Sequence, residues 1–168
     1  MGWKASLCRR LKANDVRLIC HIPDIVLSTL IEELEGDGHF RLVALTREEE
    51  GVGILAGAYM GGMRGAMLLQ STGLGNSINA LTSLSIPQQL PFLMVISPRG
   101  ELGEPNPFMI PMGKVLRPML DLLGIQHATL YRLEEVETLV DRACKSAFRG
   151  NMPVALILSE ELTGGPDR

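Results

Sequence analysis

Short apolar runs alternate with longer amphipathic stretches along the whole chain. The apolar runs cover residues 16–22, 40–45, 66–70, 92–96, 125–130 and 154–158, and each reads as a strand. Helix patterns lie between and around them, over residues 5–13, 25–34, 47–61, 77–85, 113–123 and 133–149. In the second of these helices, Ile25, Leu27, Leu30, Ile31 and Leu34 form one apolar side, and Pro23-Asp24 opens it. Gly36-Asp37-Gly38 marks a turn, and Gly61-Gly62 ends the third helix. Residues 71–75 read as a tight loop, with Asn76 placed to cap the helix that follows. Residues 97–112 hold four prolines (Pro98, Pro105, Pro107, Pro111) and read as a long irregular segment, a kind that is often functional. Strict alternation of strand and helix predicts a three-layer α/β/α fold with a six-stranded, mostly parallel sheet. No repeat or linker interrupts the pattern, so residues 1–168 read as one domain.

Composition narrows the classes. A chain of 168 residues with 46% apolar and 21% charged residues can bury a core and is not of disordered type. The net charge of -3, without any Lys/Arg-rich run, gives no footing for nucleic acid. Cys8, Cys20 and Cys144 are odd in number and far apart, which argues against a disulfide framework and a zinc site, and no metal ligand set is expected. Residues 1–10 lack an apolar signal core, and the most apolar helical stretch, 51–60, is too short to span a bilayer. A cytoplasmic protein without membrane contact is the expectation. With 18 Gly and 9 Met but 4% aromatic residues, the chain fits two pictures equally. One is a Met-rich core; the other is an apolar face buried against a partner, copies of the same chain included.

Candidate chemistry starts at Glu48-Glu49-Glu50, where the second strand runs into a helix. Carboxylates are favoured there by the helix dipole. Glu49, Gly53, Gly57 and Gly61 recur every four residues and so share one helix face. A carboxylate then heads a stripe almost without side chains, which another backbone or a flat ring could approach. Gly73-Leu74-Gly75-Asn76-Ser77-Ile78 begins like a dinucleotide fingerprint, but Ile78 replaces the third glycine and the run follows the third strand. It reads equally as a strand-to-helix turn and as a ligand loop, and a nucleotide-binding module would rest on it alone. Gly36-Asp37-Gly38 falls at the amino edge of the sheet and reads as a surface turn. His39 and His127 read as structural, whereas His21 ends the first strand at the carboxyl edge, near any site there. Arg99, Lys114 and Arg117 flank the proline-rich segment, either as solvated charge or as a clamp for an anion.

Several of these residues resemble one family. Glu49, followed ten residues on by the tyrosine of Ala56-Gly57-Ala58-Tyr59, is similar to the E…A-D-G-Y signature of the pyrimidine-binding domain of thiamine diphosphate enzymes. Ser71-Thr72-Gly73-Leu74-Gly75-Asn76, with Asn79 after it, resembles that domain's T-S-G-P-G-x-x-N loop, and Ile22-Pro23-Asp24 its early V-P-G or V-P-D turn. Within the family, Arg47 to Ile54 and Ser97-Pro98-Arg99-Gly100 resemble the α subunit of sulfopyruvate decarboxylase and the phosphonopyruvate decarboxylases. The resemblance runs from the first strand to Leu158.

It implies a thiamine diphosphate-dependent decarboxylase of a 2-keto acid, sulfopyruvate or a related anionic 3-substituted pyruvate. Glu49 would bond the cofactor's aminopyrimidine N1′ and favour the tautomer that takes the proton from thiazolium C2. Pro23, Asp24, Ser71, Thr72, Gly73 and Asn76 would line the cofactor site, and Arg99 and Lys114 would bind the substrate anion. The family's diphosphate and Mg²⁺ need a G-D-G motif followed by asparagine in a second domain. Nothing of that kind follows Gly36-Asp37-Gly38, so a separate β subunit would carry it. Three positions depart from the pattern. The D-G-Y is Gly57-Ala58-Tyr59, Ile25 stands where a small polar residue is usual, and Phe108-Met109-Ile110 replaces a glutamine-containing stretch. The last two remove polar groups near the substrate pocket. They motivate an alternative, a structural or regulatory partner that keeps the fold without catalysing.

Overall fold

A computed structural model describes residues 2–164; the ends of the expected 1–168 domain, residue 1 and residues 165–168, lie outside the described residues. Six strands form one sheet: β1 (Val16–His21), β2 (Arg41–Ala44), β3 (Arg64–Gln70), β4 (Leu93–Ser97), β5 (Gln126–Leu130) and β6 (Val154–Leu158). Their spatial order is β2-β1-β3-β4-β6-β5, and every pairing is parallel. Strands β4 and β6 are buried at every position, as continuous apolar runs in a parallel sheet should be. The edge strands β2 and β5 keep exposed positions and are the less apolar ones.

The helices are α1 (Trp3–Ala13), α2 (Ser28–Glu35), α3 (Glu48–Met60), α4 (Ser71–Ala80), α5 (Ile110–Leu122), α6 (Leu133–Gly150) and the short α7 (Glu160–Thr163). Helices α1, α2 and α6 pack on one face of the sheet; α3, α4 and α5 pack on the other. Alternate strand positions feed the two cores: Ile19, Leu68 and Val95 face α1 and α2, while Cys20, Met67 and Met94 face α3 and α4. The three-layer expectation is met, and the parallel sheet gathers the loops after β1, β2, β3 and β4 at one carboxyl edge.

Three local differences from the sequence reading matter. Helix α2 starts at Ser28 rather than at residue 25, because Asp24 Oδ1 accepts from the Leu27 N–H (3.1 Å) and closes a turn first. Ile25 therefore leaves the apolar side and is 67% exposed. Helix α4 begins directly at Ser71, with no tight loop over 71–75 and with Asn76 inside the helix rather than capping it. Its glycines answer to close packing: a Cβ at Gly73 would lie 2.6 Å from Glu48 Cγ, and one at Gly75 would lie 3.1 Å from Met112 Cε. The helical turn then widens into a π-turn over Leu81–Ser85. Finally, α5 begins at Ile110, three residues early, with Pro111 in the first turn where its missing N–H is harmless.

Candidate active site

The three acids at the start of α3 have three different fates. Glu50 reaches back to accept from the Thr46 and Arg47 backbone N–H groups (3.0 and 3.4 Å), completing a helix cap. Glu48 is buried, 7% exposed; it fills the space left by Gly73 and accepts from Asn76 Nδ2 at 2.9 Å. It heads an inward stripe with Val52 and Leu55, both buried. Glu49 points elsewhere. Its side chain is 42% exposed and pairs at 3.1 Å with the more exposed Arg47. Down the same face, a Cβ at Gly53 or Gly57 would meet nothing within 4 Å, so the stripe is open. Tyr59 turns the other way, bonding Asn151 Oδ1 at 3.0 Å and stacking on Phe148.

The other predicted residues form a stitched rim. Asp24 Oδ1 accepts from Ser97 Oγ at 3.1 Å, tying the β1 turn to the end of β4. Pro23 beside it is exposed. Ser71 is fully buried, and its Oγ accepts from the Arg99 backbone N–H at 3.2 Å, tying α4 to the segment after β4. Thr72 is half-buried one residue on, and Gly73 and Asn76 hold Glu48. The structure thus brings together Asp24, Ser71 and Arg99 through β4, and Gly73 and Asn76 through Glu48, next to Glu49 in the chain.

Arg99 is not an isolated cation. Its Nε and Nη2 each donate to Glu104 at 2.8 Å, and the pair is 13% and 1% exposed. Glu104 also accepts from the Gly100 and Asn106 N–H groups at 3.0 and 3.1 Å. The Arg99 contact and these backbone donors outweigh burial and pull the Glu104 carboxyl down to about 2. One carboxylate thereby organises the segment 98–109, whose tips Leu102 and Phe108 are fully exposed or nearly so. Lys114 is exposed and lines a separate groove of about 510 Å³ with Glu101, Arg117 and Tyr131. Arg117 donates to Glu101 at 3.0 Å.

His39 bonds the Val16 carbonyl oxygen (3.2 Å) and His127 pairs with Asp121 (3.1 Å), both structural contacts. His21 is buried at the end of β1, and burial lowers its pKa against the opposing pull of Glu35. Glu104 is not marked by the sequence, and Glu48 appears there only as one of three acids at a helix start. Only Glu48 left a signal, the i, i+4, i+7 spacing to Val52 and Leu55. Among the described residues, no group of three or more His, Cys, Asp or Glu could hold a metal ion, and no helix is long and apolar enough to cross a membrane.

The structure defines a three-layer α/β domain whose candidate residues gather at the carboxyl edge of a parallel sheet, with the Glu49 carboxylate at a helix start facing solvent. No family model matches the chain. It is 40% identical over 157 residues to the sulfopyruvate decarboxylase subunit alpha of Methanocaldococcus jannaschii, covering 94% of this chain and 93% of that one. It is 36% identical over 124 residues to a sulfopyruvate decarboxylase of Methanosarcina acetivorans, covering 74% of this chain but 32% of the longer relative. It is 28% identical over 158 residues to a phosphonopyruvate decarboxylase of Streptomyces viridochromogenes, covering 93% of this chain and 40% of that protein. The chain belongs to the family of sulfopyruvate decarboxylase α subunits.

Proposed function

We propose that this chain is the pyrimidine-binding α subunit of a thiamine diphosphate-dependent decarboxylase acting on sulfopyruvate or a related anionic 3-substituted pyruvate. The observation that carries it is Glu49: of three acids at the helix start, it alone keeps a carboxylate neither buried nor bound to backbone. Thiamine diphosphate, when bound, supplies the electron sink that decarboxylation of a 2-keto acid needs. The residues fit such a group. Glu49 stands at the carboxyl edge and heads an open, side-chain-free helix face against which a flat ring could lie.

Glu49 would hold a proton toward the aminopyrimidine of that group, and Pro23, Asp24, Ser71, Thr72, Gly73 and Asn76 would shape its surroundings. Lys114 supplies net positive charge for the substrate's anionic end. Arg99 shares that role with its charge already matched by Glu104, so its larger contribution is to hold the segment in place. A separate β subunit carries the diphosphate and Mg²⁺, and the α chain also associates with itself. Support for the partner comes from the word "subunit" in the name of the 40%-identical relative and from decarboxylases of which this chain spans only 32% or 40%. Their names favour the catalytic reading over a purely structural partner.

The test is co-expression with a candidate β chain and an assay of carbon dioxide release from sulfopyruvate and phosphonopyruvate. Glu49→Gln should lower turnover by about 10²- to 10⁴-fold, the range for a lost proton-transfer group. Calorimetry should still register cofactor on that variant, more weakly. Turnover close to wild type in Glu49→Gln removes the assignment.

A further inference from the structure

Strand β5 is an edge of the sheet: it pairs with β6 on one side and with no strand among the described residues on the other. Its outer backbone groups therefore form an open row of donors and acceptors. Natural edges are blunted by lysine, proline or charge, but Gln126-His127-Ala128-Thr129-Leu130 carries no Lys, Pro or acid. Ala128 and Leu130 belong to the core that α6 covers, so Gln126 faces the same way. Small side chains leave a gap there: Ala128 on the strand, Ala143 and Ser146 on the helix. A groove of about 220 Å³ runs past Ala128, Leu139, Arg142 and Ala143. It adjoins one of about 450 Å³ lined by Lys145, Arg149 and Met152, the two sharing Gln126, Ser146 and Val154.

The rim of this groove is positive. Arg142, Lys145 and Arg149 recur at i, i+3 and i+7 on α6 and so share one face. All three are exposed, and none makes an ion pair or hydrogen bond with another described residue. No acid lines either part of the groove. The acids in the middle of the helix face away: Glu137 pairs with Arg9 and Asp141 with Arg10, both on α1. A helix C-terminus favours cations, but that effect fades within the last turn. It accounts for Arg149 next to Gly150, and not for Arg142 two turns earlier. In a chain of net charge -3, three such cations beside an open strand edge call for an anionic partner.

We propose that this groove docks an extended acidic segment of another protein chain, which adds to β5 as a seventh strand. The spacings match. Lys145 and Arg149 stand about 6 Å apart along the helix axis, from a rise of about 1.5 Å per residue. Side chains two residues apart on a strand stand about 6.6–6.8 Å apart on one face. Two acids at i and i+2 thus meet the two cations, and an apolar side chain two residues further along fills the gap over Ala128 and Ala143 beside Arg142. The backbone ladder supplies affinity, and the cations select the partner. A free phosphate would use the cations and leave the open strand edge without a role. A second copy of this chain joined through its own β5 would bring no carboxylate on that strand. The groove includes Gly124, Pro153 and Val154, at the amino ends of β5 and β6, so it is separate from the carboxyl edge and does not depend on the decarboxylase reading.

The test titrates the isotope-labelled full chain with a capped heptapeptide, Thr-Val-Thr-Glu-Thr-Glu-Thr, and follows the backbone amide resonances. As a strand, this peptide carries its Val and both Glu on one face. Amides of residues 126–130 and 142–149 should shift together. Replacing both Glu by Gln should weaken binding about fivefold or more, the scale of two exposed ion pairs. Arg142→Gln, Lys145→Gln and Arg149→Gln combined should bring the two peptides to equal affinity, with a melting temperature close to wild type because all three side chains are exposed. Hydrogen exchange at the β5 amides that do not bond β6 should slow with the Glu peptide and not with inorganic pyrophosphate. Equal wild-type affinity for the Glu and Gln peptides overturns the proposal, as does the absence of any shift at millimolar peptide. Unchanged β5 exchange under bound peptide also overturns it and leaves an adventitious anion site only. So does β5 exchange already slow without peptide in a chain that sediments as a dimer, which assigns the edge to a second copy.

Discussion

Glu104→Gln tests the buried Arg99–Glu104 ion pair that holds the segment after β4. The carboxylate accepts four hydrogen bonds, two from Arg99 and one each from the Gly100 and Asn106 backbones. Glutamine keeps the shape but has a single acceptor oxygen, and it turns an amide NH₂ toward the Arg99 guanidinium. Arg99, 13% exposed, is then left as a nearly buried charge without its partner. Breaking such a pair costs about 3–5 kcal/mol, and the retained acceptor puts this variant near 3. For a chain of this size each kcal/mol moves the melting temperature by about 2–4 °C, so a drop of about 6–12 °C is expected at pH 7.

Acid should affect the two proteins differently. The folded carboxyl is held at about 2 against an ordinary 4.5, so its stabilisation is complete above 4.5 and fades as pH falls toward 2. Wild type should lose melting temperature steeply in that window, and Glu104→Gln should lose distinctly less because its share is already gone. Scanning calorimetry of both proteins from pH 7 down to pH 3 reads the two effects together. Equal melting temperatures at pH 7 with superimposable acid limbs would refute the argument that this pair holds the segment.

Three further substitutions probe separate claims. Gly73→Ala drives a methyl group to within 2.6–2.9 Å of Glu48 Cγ, Oε1 and Cδ, and should cost about 1–3 kcal/mol in denaturant unfolding. Gly113→Ala puts a methyl group into the Arg99 carbonyl oxygen, which is backbone and cannot swing aside, so the junction of α5 with segment 98–109 should shift. Limited proteolysis should then cut that segment faster than in wild type. Glu49→Gln should change stability by less than about 0.5 kcal/mol, since the side chain is half-exposed and makes one surface ion pair. Its melting curve should overlay wild type even where turnover is lost.

The strands were legible because a parallel sheet buries them on both faces; β6 occupies the residues its apolar run marks, 154–158. Local signals failed where tertiary contacts overrode them. Gly73 and Gly75 read as turn residues, but their missing side chains serve Glu48 and Met112 and the backbone there is helical. Ile25 matched the helical period, yet Asp24 spends residues 25–27 on a turn and leaves it in solvent. Glu49 was separable from Glu48 and Glu50 by the helical face it shares with the glycines, and the structure gives that face to solvent. Glu104 could not have been found this way. A lone acid among prolines carries no periodicity, and its meaning lies in a fold that returns it to Arg99.

The pattern of satisfied and unsatisfied groups bears on what the edge is for. Its rim is closed by contacts the domain makes with itself: Asp24 to Ser97, Ser71 to Arg99, Arg99 to Glu104, Asn76 to Glu48. These tie the loops after β1, β3 and β4 to one another. Inside that rim, His21 and Gln70 keep buried atoms without partners, and Glu49 faces solvent with a helix face bare of side chains. A domain kept only as a scaffold would lose nothing by filling such positions with apolar side chains, since orphaned polar groups are a cost. A domain that binds must leave them open, with their surroundings fixed in advance. A fixed rim around such open groups is the arrangement that the proposed reading, an α subunit contributing part of a shared site, calls for.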